Sequence, residues 1–337
     1  MNTHRNGINQ RSIQAPMRVS AAFKYLINVA QGVRAQEGWR AAARAIGRLI
    51  LLEALKIPRI IDFKRSSGTS AHAAPRTYDF DLMSATIVHD LVDSLERMPL
   101  EFNRVSVDPR ALRKHSESFH YPRFYAGGSA AKGGFRDNKI VEYFVSLELS
   151  PIGPSDIVID VASEYSVFPV MVRKLFGASV FRQDLIYPPG VHGDRIGGNA
   201  ARMDVDPGFA TRLMLHNSFE HFEGDADSDF IREAWRILKP GGTVCIVPLF
   251  LTSPHTVLTD PLVERRDIEW DPEGTAVSIV GYRNRFGRFY SLDTLQRRVI
   301  EPATECGFRL TIHYVENIHE LQPGSLLHFA LVLEKSL

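Results

Sequence analysis

From Ile157 onward the chain alternates short apolar runs with helix-patterned segments, and this rhythm constrains its fold more than any other feature. Residues 157–161, 179–183, 212–216, 243–249, 310–315 and 328–333 read as strands. Residues 167–176, 229–238 and 292–306 carry helical spacing, the last closed by Gly307. Near-continuous apolar strands separated by helices build a largely parallel sheet covered on both faces. Ligands of such sheets bind beyond the carboxyl ends of the strands, where the strand order reverses.

The segment before this rhythm has a different character. Residues 1–65 hold twelve Lys and Arg against three acids, although the whole chain of 337 residues carries a formal net charge of +1. A basic arm therefore precedes a mildly acidic body, and no nucleic-acid partner is expected. Within the arm, residues 23–55 show helical periodicity. Trp39, Ala43, Ile46 and Ile50 recur on one face, and Arg40, Arg44 and Arg48 form a stripe on another. This fits either an interfacial helix on anionic lipid or a helix packed on the body or on a partner protein. The apolar stretch 46–61 is broken by Arg48, Glu53, Lys56, Pro58 and Arg59, so it does not supply a membrane span. The small, polar stretch 65–77 marks a linker. Cys245 and Cys306 have no metal or disulfide spacing. With no signal peptide visible, a cytoplasmic protein, peripheral at most to a membrane, is expected. Residues 1–65 are read as a basic helical arm, 66–135 as a helical and loop lid, and 136–337 as the α/β domain.

Several segments of that domain resemble, in order, the class I S-adenosylmethionine-dependent methyltransferases, of the type 11-like kind. They are DIVIDVASEYSVFP (156–169), Asp184, IGGNAARM (196–203), LMLHNSFEHFEGD (213–225) and FIREAWRILKPGGTVCIVPLF (230–250). The leucine-lysine-proline-glycine-glycine turn at 238–242 is the most specific. The resemblance implies a Rossmann-like class I methyltransferase fold: a mostly parallel seven-stranded sheet, helices on both faces, and an N-terminal helical extension. It also implies S-adenosylmethionine as cofactor.

On that reading Asp160, Ala162, Ser163, Glu164, Asp184, Asn199, Ala200 and His216 surround the cofactor. A carboxylate at the end of the second strand is placed to accept the ribose hydroxyls, which is the expected role of Asp184. Asn199 and Ala200 fall where the family contacts adenine. The first loop lacks the family's alternating glycines: it reads Ala162, Ser163, Glu164, Tyr165, Ser166. Ala162 is tolerated at negative φ, whereas Glu164 or Ser166 at positive φ is strained. Either the loop takes another path and Ser163 and Glu164 bind the cofactor by side chain, or the domain is a scaffold without cofactor.

His216, Asn217, Glu220 and His221 end the fourth strand, the usual edge of the reaction pocket. Histidine suits proton abstraction near neutral pH, so His221 is the first candidate base and His216 the second. The expected acceptor is a small-molecule or glycan hydroxyl. Arg283, Arg285 and Arg288, in the insertion YRNRFGRFY (282–290), could bind an anionic one. The rival reading is a non-catalytic methyltransferase-like scaffold in a glycan- or envelope-related complex. The histidines show no ligand spacing, so no metal site is expected.

Overall fold

The computed structural model describes residues 43, 82–121, 135–164, 166–263, 267–279, 282 and 284–337. The basic arm apart from residue 43, the linker 65–77, residues 122–134, and Arg283 lie outside these residues.

The elements, in chain order, are α1 (Ala85–Leu95), β1 (Glu101–Val105), α2 (Pro109–Ser118), α3 (Phe135–Leu149), β2 (Ile157–Val161), α4 (Phe168–Phe176), β3 (Ser179–Asp184), β4 (Gly190–His192), β5 (Arg195–Gly197), β6 (Ala210–His216), α5 (Ala226–Ile237), β7 (Leu238–Val247), β8 (Thr256–Thr259), β9 (Thr275–Ser278), β10 (Gly287–Phe289), α6 (Leu292–Leu295), α7 (Glu301–Cys306), β11 (Phe308–Val315), α8 (Ile318–Leu321) and β12 (Phe329–Lys335). Among the described residues one sheet runs β1-β11-β12-β7-β6-β2-β3-β5-β4. Strands β5, β3, β2, β6 and β7 are mutually parallel, and β12 is antiparallel between β7 and β11. The chain walks outward from β2 through β3 to β5, then restarts at β6 on the other side. The order therefore reverses between β2 and β6, and that crevice is where a sheet of this type offers a site.

The stretch β5-β3-β2-β6-β7-β12-β11 is the expected seven-stranded, mostly parallel sheet. The structure corrects the count to nine. Strand β4 folds back antiparallel on β5. Strand β1, within the segment read as a lid, joins the far edge parallel to β11. It is an exposed edge strand with little apolar patterning, so nothing in its sequence marks it.

Period-2 alternation divides the core between the two faces. Ile159, Val161, Leu213, Leu215, Val244, Ile246, Leu331 and Leu333 pack with α1, α5 and the α6–α7 helix. Val158, Met214, Cys245, Val247, Ala330 and Val332 pack with α3 and α4 on the other side. Helix α4 ends at Gly177 (φ 70) and α7 at Gly307 (φ 92), left-handed caps that glycine adopts without penalty. Helices α6 and α7 run on through a π-turn, Gln296–Ile300. Pro302 lacks the N–H that would reach the Arg298 carbonyl, and Ser228 Oγ donates to it instead at 2.8 Å.

The segment 238–242 is not the helix-closing turn expected from the sequence. Leu238 already pairs with Ala210 and Thr243 with Arg212, so residues 239–242 bulge out within β7. Gly241 takes φ 74 there. A Cβ at Gly242 would stand 2.8 Å from the Lys239 carbonyl oxygen. Two glycines are therefore needed in a row.

The insertion after β7 forms a second sheet, β10-β8-β9. Arg288 corrects the sequence reading most clearly. It is wholly buried and offers nothing to an anionic acceptor. Its guanidinium donates to Asp271 at 2.7 and 2.5 Å, to Asp227 at 2.7 Å, and to the carbonyls of Phe222 and Gly224 at 2.7 and 2.9 Å. Asp227 also accepts from Tyr290 at 2.8 Å and from Arg298. Burial alone would raise the Asp271 carboxyl; bonds from Arg288 and His255 outweigh it and hold the group well below the usual range. Arg288→Leu leaves two carboxyl groups buried without this partner. It should destabilise the protein by about 3–5 kcal/mol, read as a lower urea midpoint, while substitution of the exposed Arg309 should change little.

Candidate functional site

The loop after β2 sits at the crevice, and its path is the first finding. Ala162 takes φ 50 and Glu164 φ 40. Ala162 therefore does not keep the negative φ expected of it, and the loop does not take a different route. It follows the left-handed, alternating path that glycines would follow, without the glycines. Each such residue costs roughly 1–2 kcal/mol. Ser166 is not strained: its Oγ accepts from the Phe168 N–H at 3.2 Å, at the entry to α4.

The end of β3 holds the loop in this shape. The Ala162 N–H donates to Gln183 Oε1 (3.1 Å), the Ser163 N–H to the Gln183 carbonyl (2.9 Å), and the Glu164 N–H to Asp184 Oδ2 (2.7 Å). The Gln183 amide also donates to the Gly198 carbonyl at 2.6 Å, clipping the loop to the segment after β5. Asp184 Oδ1 accepts from the Ile186 N–H at 3.0 Å. Its carboxylate is thus fixed at the rim of the crevice, and a carboxylate has about four acceptor positions.

Asn199 is exposed, and its Oδ1 closes a local turn by accepting from the Ala201 N–H at 2.9 Å. Ala200 is buried beside it. The segment is tied to α5: Glu233 accepts from the Met203 N–H, and Arg236 donates to the carbonyls of Met203 and Val205. Gly197 is obligatory, since a Cβ there would lie 1.8 Å from the Pro188 carbonyl oxygen.

At the end of β6 the chain turns sharply through Asn217, at φ 50, into a short 3-10 turn, Phe219–His221. His216 points inward. Its side chain is 4% exposed, packed against Tyr143 and Phe168, with Nε2 2.9 Å from Ser146 Oγ and Nδ1 3.6 Å from Asp160 Oδ1. Burial pulls its pKa below the ordinary value, with Asp160 opposing. With Nε2 on Ser146, Nδ1 facing Asp160 and the ring covered by Tyr143 and Phe168, His216 is withdrawn as a candidate base. His221 is different: its side chain is 32% exposed. Its Nδ1–H donates to the Phe286 carbonyl at 2.6 Å, leaving Nε2 as the lone-pair nitrogen, 3.5 Å from Glu220 Oε1. A fixed tautomer with a lone pair on Nε2 is what a proton acceptor needs.

Behind this edge lies a group the sequence reading missed. Lys139 and Glu142 are both buried on α3 and 2.8 Å apart, with Lys139 Nζ 3.4 Å from the His216 carbonyl. A charged i,i+3 pair bordering and interrupting the apolar run 140–147 was the available signal. Asp160 Oδ2, Ser163 Oγ, Ser218 Oγ and Glu220 Oε2 are buried without hydrogen-bond partners. Buried acceptors of this kind normally have partners. Among the described residues no group of three or more His, Cys, Asp or Glu is arranged to hold a metal ion. A groove of about 350 Å³ lies elsewhere, beside β1, β11 and β12, and its charged residues Glu101, Arg309 and Glu334 pair with one another. No described helix is long and apolar enough to cross a membrane.

Two outcomes follow. Ala162→Gly and Glu164→Gly should each raise stability by about 1 kcal/mol, because glycine takes left-handed φ without penalty; chemical denaturation reads this. Burial lifts the Glu220 carboxyl above its ordinary value of 4.5. In that window the folded state binds more protons than the unfolded, so stability falls as pH rises through it. Glu220→Gln should remove that fall, which sets in as pH rises above 4.5. Identical pH profiles would contradict the assignment.

No family model matches the chain, and no curated protein matches it. Similar solved structures are methyltransferases at low identity. A SAM-dependent methyltransferase from Methanosarcina mazei is 14% identical, covering 55% of this chain and 95% of its own, with a TM-score of 0.37. The 1,6-didemethyltoxoflavin-N1-methyltransferase of Burkholderia thailandensis, with bound 1,6-didemethyltoxoflavin and S-adenosylhomocysteine, is 14% identical over 79% of this chain and 92% of its own, at 0.38. Geranyl diphosphate C-methyltransferase from Streptomyces coelicolor A3(2) is 14% identical over 73% and 96%, at 0.37. These scores are too low to add weight, and the α/β assignment rests on the strand order itself.

Proposed function

We propose that this chain is an S-adenosylmethionine-dependent methyltransferase of the type 11-like kind, acting on a small-molecule or glycan hydroxyl. The observation that carries the reading is the loop 162–164, held in a glycine-type path beside the Asp184 carboxylate at the strand-order reversal. Orphaned buried acceptors at Asp160 and Ser163 fit a polar ligand at the same place. In this reading Asp184 takes the ribose hydroxyls, and Asn199 and Ala200 lie against the adenine. Asp160, Ala162, Ser163 and Glu164 line the remainder, and His216 supports Asp160 from behind.

When bound, the cofactor supplies an electrophilic methyl group on a sulfonium. The chain's own part is to orient the acceptor and remove its proton. His221 Nε2 accepts the hydroxyl proton, and the neighbouring Glu220 carboxyl offsets the imidazolium charge so formed. Phe286 holds the ring in the required tautomer through its carbonyl.

The second reading is a methyltransferase-like scaffold, with the basic residues 1–65 contacting a membrane surface or a partner protein. The side chains at Ala162 and Glu164 favour it, since they stand at left-handed positions where the resemblance implies glycine. Titration calorimetry with S-adenosylmethionine and S-adenosylhomocysteine separates the two. Binding is expected, with Asp184→Ala weakening it at least about ten-fold. His221→Gln should lower kcat by roughly 10²–10⁴ and leave cofactor affinity unchanged. Absence of heat and of thermal shift at millimolar ligand would leave the scaffold.

A further inference from the structure

Glu220 is the buried acid of the acceptor side that the methyl-transfer reading uses only in part. It is 5% exposed, and its Oε2 has no hydrogen-bond partner. Ser218, two residues earlier on the same turn, is 4% exposed with an unpartnered Oγ. Acceptors dominate this edge, and donors are scarce. Of the cations nearby, Lys139 is engaged by Glu142 and the His216 carbonyl. Arg285 is held by Glu223 and the Asp267 carbonyl. Arg288 lies in its buried hub. Glu142 adds a further buried carboxyl acting on Glu220. The insertion contributes Tyr282, whose ring is 6.4 Å from that of His221 and whose hydroxyl is kept protonated by burial and by the adjoining Glu220.

A buried carboxylate whose charged neighbours are His221 and the already engaged Lys139 is costly, and an anionic ligand would add to the cost. A water molecule could satisfy Oε2 but brings no charge. An ammonium brings charge and three N–H donors. The proton-accepting His221 Nε2 stands only 3.5 Å from Glu220 Oε1. An amine held by Glu220 and a hydroxyl facing His221 therefore belong on adjoining carbons of one molecule.

We propose that the acceptor is a vicinal amino alcohol, such as an amino sugar unit, whose ammonium is bound by Glu220 while its hydroxyl meets His221 Nε2. The proposal rests on the methyl-transfer reading for the role of His221. It replaces the anionic acceptor suggested by the arginines of the insertion.

The test uses the full chain and three isosteric probes: trans-2-aminocyclohexanol, trans-cyclohexane-1,2-diol and 2-hydroxycyclohexanecarboxylate. Ligand-observed NMR, with and without S-adenosylhomocysteine, reads their affinities. The amino alcohol should bind at least about ten-fold tighter than either of the others. Glu220→Gln should erase that preference, and Glu305→Gln, on α7, should retain it. Charge selection among the probes in the unaltered protein does not depend on the variant folding. Equal affinities, a preference that survives Glu220→Gln, or no binding of any probe at millimolar concentration overturns the inference, the last leaving water as the occupant. Binding of S-adenosylhomocysteine without amine preference sinks this inference alone. A Glu220-dependent amine preference without binding of S-adenosylhomocysteine sinks methyl transfer and leaves the amine site.

Discussion

The site depends on two consecutive residues at the end of one strand. Gln183 and Asp184 accept three backbone N–H groups of the neighbouring loop and fasten it in a left-handed path. Three such bonds are worth about 3 kcal/mol net, comparable to the roughly 2–4 kcal/mol cost of two left-handed non-glycine residues. The loop shape is therefore imposed from β3 and does not arise from freedom within the loop. Because Gln183 also reaches the Gly198 carbonyl, the same strand end sets the distance between the two lips of the crevice.

A second constraint acts on the acceptor side. Arg288 joins β10 to α5 and to the segment after the 3-10 turn, with five donations and no exposure to solvent. Such a cluster is expensive to desolvate and is retained only when every donor and acceptor is matched. Here the matching fixes one arrangement of the insertion over the sheet edge. The two constraints meet at the carboxyl ends of β2 and β6, one shaping the loop 162–164 and the other the surroundings of His221.

Much of the architecture was legible because buried strands leave apolar runs and helix stops leave glycines: 157–161 and Gly307 fell where expected. Strand β1 was not, since a half-exposed edge strand needs no apolar pattern. The bulge at 239–242 was read as a turn, because Pro-Gly-Gly has the same composition in either setting. Of the site, Asp184 and the 216–221 segment were visible by position. His216 and Arg288 were misjudged for a shared reason: a sequence gives side-chain chemistry but not exposure, and both polar groups face inward. Lys139 and Glu142 were missed because a lone charged pair inside an apolar helix resembles an ordinary surface pair.

The Phe286 carbonyl that anchors His221 sits two residues before Arg288, on the same stretch of chain. In the proposed role of His221 as base, the tautomer is thus set by the insertion and not by the 3-10 turn that carries the histidine. Without that carbonyl nothing holds the hydrogen on Nδ1, and a ring carrying it on Nε2 presents an N–H where a lone pair is required.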